Sequence, residues 1–468
     1  MKYDVVVIGS GIAGLTAGLL LRLNNKKVAI FEKSKKIAPL LSRFMRNNIC
    51  CDPGFHYAGG LEDKGKLSIL FNYMGINVES RPLNPECFDT ILINNKVYRL
   101  PYGLKRLKSY LSSEFSNSIS AVKYFIKILK KVKNENPFTN LKSKGNSIFN
   151  NTSLSDFLKD AGAEEELIQL LGTHVYYLSG SEADEIPLYL YTHIMAPLYS
   201  NASTLKKGGD SLIDAYKSRL KELEVSIFTD SEITNIISDN SKKIKGIKTK
   251  NNEIVECEYC ISTIHPELLV NILPKSFVRP VFISRIQQYE NTVSPFVVFF
   301  DIEEIPDKIS NSNYFINSRQ VSETKLGFIS PGNTSQKKSS FTAIKYCNNE
   351  LTASFFNNQY KDIKDAETEK IIGCLYSCFP ELKGKLNILD TATPKTYQDY
   401  TGTIAGSMYG IKQSVKQYAI GSKGGIKGLY LSGQSTTPGI MGSIYSSLFA
   451  VMMITDSTHL KKSIMKYC

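Results

Sequence analysis

Three glycines near the amino terminus, Gly9, Gly11 and Gly14, are spaced G-x-G-x-x-G. They follow a short β-branched run, residues 3–8 (YDVVVI), of the kind a buried parallel strand uses. A helix-like segment from Ala13 to about Leu23 comes next. A second strand over residues 27–31 then leads to Glu32, 18 residues beyond Gly14. Each part suits a dinucleotide. Gly9 permits the tight turn out of the strand, Gly11 lets backbone approach a pyrophosphate, and Gly14 lets helix and strand pack closely. The helix N-terminus at Ala13 offers free N–H groups to phosphate. Glu32, with Lys33 beside it, can accept hydrogen bonds from ribose hydroxyls, and an acid there opposes a 2′-phosphate. The same spacing makes the apolar run 5–21 a strand, turn and helix rather than a signal peptide, for which a basic leader is almost absent.

Four further segments carry residues fit for a site. Residues 51–60, CDPGFHYAGG, hold Asp52, Gly54 and His56. Residues 207–212, KGGDSL, place a glycine pair before a helix expected over 211–223. Strands are expected in VSIFTDSEITNI and again in IKGIKTKNNEIVECEYCISTIHP. Residues 428–450, GLYLSGQSTTPGIMGSIYSSLFA, read as a strand ending at Gly433, a loop through Gln434, a break at Pro438 and Gly439, and a helix opened by Gly442 and Ser443. The positive end of that helix would stabilise an anionic ring system placed before it.

Together these segments resemble the FAD-dependent amine oxidase superfamily, in its branch of phytoene desaturases, carotenoid isomerases and retinol saturases. The resemblance implies FAD as cofactor. It places Gly9, Gly11, Ile12, Ala13, Gly14, Glu32 and Lys33 at the dinucleotide, and Glu232 and Ile233 as a backbone contact to the adenine. It places Gly433, Gln434, Gly439, Gly442 and Ser443 at the flavin. His56 would stand near the ring. The stretch TPKTYQDYTGTIAGSMYGIK, residues 393–412, resembles the TP…Y…G-S-x-Y-G stretch of the isomerase and saturase branch, which puts Tyr409 at the cavity as a proton donor or substrate guide. Two departures stand out. The glycine pair that relatives carry near the FAD phosphates is absent from residues 37–44, IAPLLSRF, where Arg43 offers the only cation. Gln434 replaces an acid common in relatives.

The implied architecture is α/β. A Rossmann-type FAD-binding domain (1–60, 205–275 and 425–468) is interleaved with a substrate domain of mixed β-sheet and helical lid (61–204 and 276–424). Within the latter, 61–200 carries helix-like segments, 186–199 reads as a core helix or tunnel wall, and 293–301 and 341–356 as strand material. The implied reaction is desaturation, saturation or isomerisation of carbon–carbon bonds in a lipophilic polyene or isoprenoid-like substrate, with the electron donor or acceptor open. Two alternatives remain: a flavin amine oxidase, and a flavin-free prenyl-binding module like the Rab GDP-dissociation inhibitors.

Composition bounds the rest. A net charge of +13 raises nucleic acid or an anionic membrane as partner. No zinc-finger spacing or RNA-recognition signature supports nucleic acid. Residues 121–133, AVKYFIKILKKVK, set Val122, Phe125, Ile126, Leu129 and Val132 at helical spacing among five lysines. Such a basic amphipathic helix suits an anionic bilayer, or a solvated surface. A cytoplasmic protein, peripheral on membranes, is the expectation. The nine cysteines, including Cys257/Cys260 and Cys374/Cys378, form no disulfide framework and read as ordinary thiols.

Overall fold

The structure, a computed structural model, describes residues 1–93, 96–135, 151–303, 305, 306, 309, 312–317, 326–330, 339–417 and 419–468. Two seven-stranded sheets organise them. In the first, Lys2–Ile8 lies between Val28–Phe31 and Ile254–Ser262 and is parallel to both. Ser226–Phe228 extends one edge, and Leu429–Leu431 runs parallel to Ile254–Ser262. Val5 and Val7 face one core and Val6 and Ile8 another, which is why the strand reads as an unbroken apolar run. Helices Ile12–Leu23, Gly209–Glu222 and Gly439–Met452 contribute to the first of those cores.

The second sheet runs Asn387–Ala392, Ser294–Ile302, Ser339–Cys347, Leu326–Ser330, Asn313–Asn317, Asp89–Ile93, Lys96–Leu100. Val297 and Phe299 face a layer that includes helices Ile119–Asn134, Glu165–Ser179 and Leu188–Ser200. Phe296, Val298 and Phe300 face the core shared with helix Tyr360–Cys378. The α/β class follows, with one sheet carrying the glycine fingerprint and the other flooring the helical layer.

Residues 61–200 carry the expected helices and also two strands, Asp89–Ile93 and Lys96–Leu100, which pair antiparallel and join the second sheet. Three local expectations are corrected. Residues 341–356 are strand only to Cys347, because the Asn348 side chain accepts the Leu351 N–H and caps a helix from Asn349 to Ser354. The helix expected from Ser211 opens at Gly209. The helix expected from Gly442 begins at Gly439 instead, since Gly439 turns the chain at φ +76°, a conformation glycine tolerates. Among the described residues no helix is long and apolar enough to cross a membrane.

Candidate functional site

The glycine turn is built by close approach. A Cβ added at Gly14 would lie 1.9 Å from the Gly9 carbonyl oxygen, and one at Gly9 would lie 2.6 Å from Thr263 Oγ1. Gly11 differs: a Cβ there would meet nothing within 4 Å, so its face is open. Helix Ile12–Leu23 starts there with no side-chain cap, leaving its first N–H groups to a ligand. Glu32 is buried and held. Its Oε2 accepts from Ser10 N (2.9 Å) and Ser10 Oγ (2.8 Å), and its Oε1 from Ser34 N (2.8 Å). A carboxylate offers about four acceptor sites, so one stays for a ribose hydroxyl.

The second ligand-facing helix, Gly439–Met452, also opens without a side-chain cap. Serines bind it to the first. Ser447 Oγ donates to Ala13 O (2.8 Å), and Ser446 Oγ accepts the Gly433 N–H (2.8 Å). Two positive helix ends therefore border the same space, the arrangement that receives phosphate and an anionic ring. An open Gly11 face, a fixed acid and these two helix ends fit FAD.

Residues 37–44 lack the expected glycine pair, yet Ala38 adopts φ +46°, the left-handed conformation a glycine would supply. Its N–H donates to Ser10 Oγ (3.3 Å), which ties this segment to Glu32. Arg43 stands elsewhere than expected. It pairs with Asp210 (3.2 Å), lies 4.0 Å from Asp52, and is not on the cavity wall. The reason is local charge: two carboxylates on neighbouring segments draw the guanidinium away from the phosphate side.

Burial pushes the Asp52 carboxyl up to about 6 from its ordinary 3.8, against the pull of Arg43. The folded protein thus holds a proton that the unfolded chain releases. Stability from this group is complete below the ordinary value and is lost as pH rises through about 6. Asp52→Asn is expected to flatten that dependence. The check is the urea midpoint of both proteins from pH 4 to pH 8, and parallel profiles would contradict it.

His56 and Tyr409 both line the cavity. Burial holds the His56 imidazole down at about 4, so the ring is neutral at pH 7. Burial raises the Tyr409 phenol to about 12, and its hydroxyl donates to Tyr177 O (3.4 Å). It therefore keeps its proton at neutral pH. Tyr346 Oη also donates to Tyr177 O (2.6 Å), so two tyrosines are fixed by one carbonyl.

One constellation escaped sequence reasoning. Tyr57, beside His56 on the cavity wall, donates from its hydroxyl to Asp89 Oδ2 (2.7 Å). His174 Nε2 meets the same oxygen at 2.7 Å, and its Nδ1 lies 3.0 Å from Tyr199 Oη. Asn313 Nδ2 donates to Asp89 Oδ1 (3.0 Å). Asp89 and His174 are fully buried. With Asp89 ionised, Nε2 donates to it, and in the neutral ring Nδ1 accepts from Tyr199. The signal was a lone histidine in the mostly apolar helix run GTHVYYL, which spacing alone cannot pair.

These parts open onto one cavity of about 2170 Å³. Gly9, Gly11, Ile12, Ala13, Glu32 and Lys33 line it, with Glu232 and Ile233 nearby: Ser231 N–H donates to Glu32 O (2.8 Å). Gly433, Gln434, Gly439, Gly442 and Ser443 line it too. Gly14 and Arg43 do not.

Residues 7–74 match the family model of an NAD(P)-binding Rossmann-like domain. The chain aligns with the all-trans-retinol 13,14-reductase of Danio rerio at 22% identity, over 92% of this chain and 82% of that one. It aligns with the chloroplastic prolycopene isomerase of Daucus carota at 22% identity, over 94% and 77%. The chain is a homologue of the retinol saturases and prolycopene isomerases. Solved structures agree on the fold. An oxidoreductase from Methanosarcina mazei superposes with a TM-score of 0.69 at 16% identity, covering 97% of this chain and all of that one. A putrescine oxidase variant gives 0.67 at 11% identity, covering 97% and 99%, so it shares the fold.

Proposed function

We propose that this chain is an FAD-dependent oxidoreductase acting on carbon–carbon bonds of a lipophilic polyene, by saturation, desaturation or isomerisation. The observation that carries the reading is the continuity of the cavity. One space joins the open face of Gly11 and the Glu32 carboxylate to walls of Tyr177, Leu190, Ile344 and Tyr346. Bound there, FAD would supply hydride transfer. The chain's own residues do the rest. The Gly11 turn and the helix opened by Ile12 take the phosphates, Glu32 takes the ribose, and the helix opened at Gly439 faces the ring. The apolar wall excludes water, and Tyr409 holds a proton beside the substrate space. All-trans-retinol and prolycopene, after which the aligned relatives are named, support a polyene here.

The test begins with the absorbance spectrum of the purified protein and chromatography of the released cofactor. It continues with anaerobic, photoreduced enzyme incubated with all-trans-retinol and with a poly-cis carotene. Bound FAD and an altered polyene are the expected results. A protein that takes up no flavin from excess FAD would sink the reading and favour the prenyl-binding alternative.

A membrane surface belongs to the same proposal, in a narrower form than the sequence offered. Val122, Phe125, Ile126, Leu129 and Val132 are buried in the core, so no apolar stripe is left for a bilayer. Lys123, Lys127, Lys130 and Lys133 are exposed on the opposite face. Attraction to anionic lipid would be electrostatic, on the order of 1 kcal/mol per lysine. The protein is expected to sediment with anionic but not zwitterionic vesicles, and less so when these four lysines are made neutral. Equal recovery on both vesicle types would exclude it.

A further inference from the structure

Away from the dinucleotide, the cavity wall is formed by five helices: Lys66–Met74, Ile119–Asn134, Leu188–Ser200, Gly439–Met452 and Ser457–Met465. Their contributions there are uneven in charge. Lys66, Lys131 and Lys461 line this end, among the apolar surfaces of Val132, Tyr189 and Phe449. Of the acids on the cavity wall among the described residues, only Glu135 lies here; Glu32, Glu232 and Asp399 line the dinucleotide end. His193 also faces this end, and burial holds it down at about 4, so it adds no charge at neutral pH.

Lys66 is the central group. It is half-buried, and its Nζ donates to Val132 O at 2.6 Å. Its backbone is fixed from the flavin side, because Tyr445 Oη, on helix Gly439–Met452, donates to Lys66 O (3.4 Å). Burial pushes the ammonium down to about 8, which leaves it protonated at pH 7, with Glu135 opposing the shift. An ammonium carries three donors and Val132 takes one. A half-buried cation beside apolar walls costs desolvation energy, which a bound anion would offset.

We propose that this end of the cavity is a subsite for an anionic head group, in which Lys66 takes the carboxylate of a long-chain polyene acid while the apolar tail runs toward the helix opened at Gly439. The inference rests on the polyene reading above and narrows its substrate class from a neutral hydrocarbon or alcohol to an amphiphilic acid. The opposing account is that Lys66 only closes the carboxy-terminal end of helix Ile119–Asn134 through Val132. The two accounts differ in what the charge does to a ligand.

The experiment uses the flavin-loaded protein at pH 7 with parinaric acid and its methyl ester, each followed by its own fluorescence. The acid is expected to bind about tenfold more tightly than the ester, the scale of one hydrogen bond between charged groups. Lys66→Gln and Lys66→Met should bring that ratio close to one, while Lys66→Arg should retain most of it. A purely structural Lys66 would leave the ratio unchanged in every variant that folds. A wild-type ratio near one overturns the proposal without any variant and leaves the lipophilic cavity standing. A high ratio that survives both neutral variants also overturns it, since the head is then held elsewhere. Binding of neither probe overturns this subsite and the polyene reading together.

Discussion

Gly11→Ala is expected to yield a folded protein that purifies without flavin, whereas Gly14→Ala is expected to lose the amino-terminal fold itself. The glycines are three residues apart in one turn, yet their surroundings are opposite. A methyl group at Gly14 would sit 1.9 Å from the Gly9 carbonyl oxygen. Neither atom can yield without moving the central strand of the first sheet away from helix Ile12–Leu23, whose residues Leu15, Leu19 and Leu20 are completely buried. A clash with backbone belongs with the severe substitutions, about 4 kcal/mol or more. At Gly11 the added methyl meets nothing within 4 Å, and φ −60° with ψ 174° suits alanine. Stability should fall by only about 1 kcal/mol, since alanine is a poorer N-cap than glycine. The methyl does occupy the face across which a pyrophosphate must approach the backbone. Flavin content per folded protein and the urea midpoint of each variant check both halves. A Gly11→Ala protein with full flavin would disprove the cradle, and a Gly14→Ala protein of unchanged stability would disprove the close packing.

The second large effect is expected at His174. Replacing it with leucine leaves the Asp89 carboxylate buried with Tyr57 and Asn313 and removes the Nε2–H that donates to its Oδ2. Loss of a hydrogen bond to a buried charged group costs about 1.5–3 kcal/mol, because no water replaces the lost donor. Removing both, as Asp89→Leu with His174→Leu, should cost less than the sum of the single changes, since no unpaired carboxylate remains. Urea unfolding of the two single variants and the double variant gives the coupling directly. Additive losses would mean that the two residues act independently, against the shared Oδ2 contact. Because Tyr57 is anchored on Asp89 and stands next to His56, the same change should also loosen the cavity wall.

Some of this molecule was legible along the chain because its chemistry is carried by a few contiguous residues. The turn from Gly9 to Gly14, the acid at Glu32 and the break at Pro438 and Gly439 each depend on backbone geometry within one strand–turn–helix unit. Residue type and spacing are the cause there, and the structure brings Gly9, Gly11, Glu32, Gly433 and Gly439 to one cavity. The core helix 186–199 was readable for a similar reason: an apolar run of that length has few other ways to be buried, and Leu188–Ser200 forms it.

What tertiary structure alone decided lies at long sequence separation. Asp89 and His174 stand 85 residues apart, and neither sits in a pattern that names the other. Arg43 answers to Asp210, 167 residues away, so its charge turns from the phosphate side where its position in the chain had suggested it belonged. Ala38 takes up the left-handed turn because Ser10 and the Glu32 network hold it there, not because alanine prefers it. The lysine helix shows the same division. Its periodicity determined that one face must be apolar, but only the packing determined that this face belongs to the core and not to a membrane. Period and spacing specify what a segment can do alone, and the partner of a buried charge or an apolar stripe is chosen when distant segments meet.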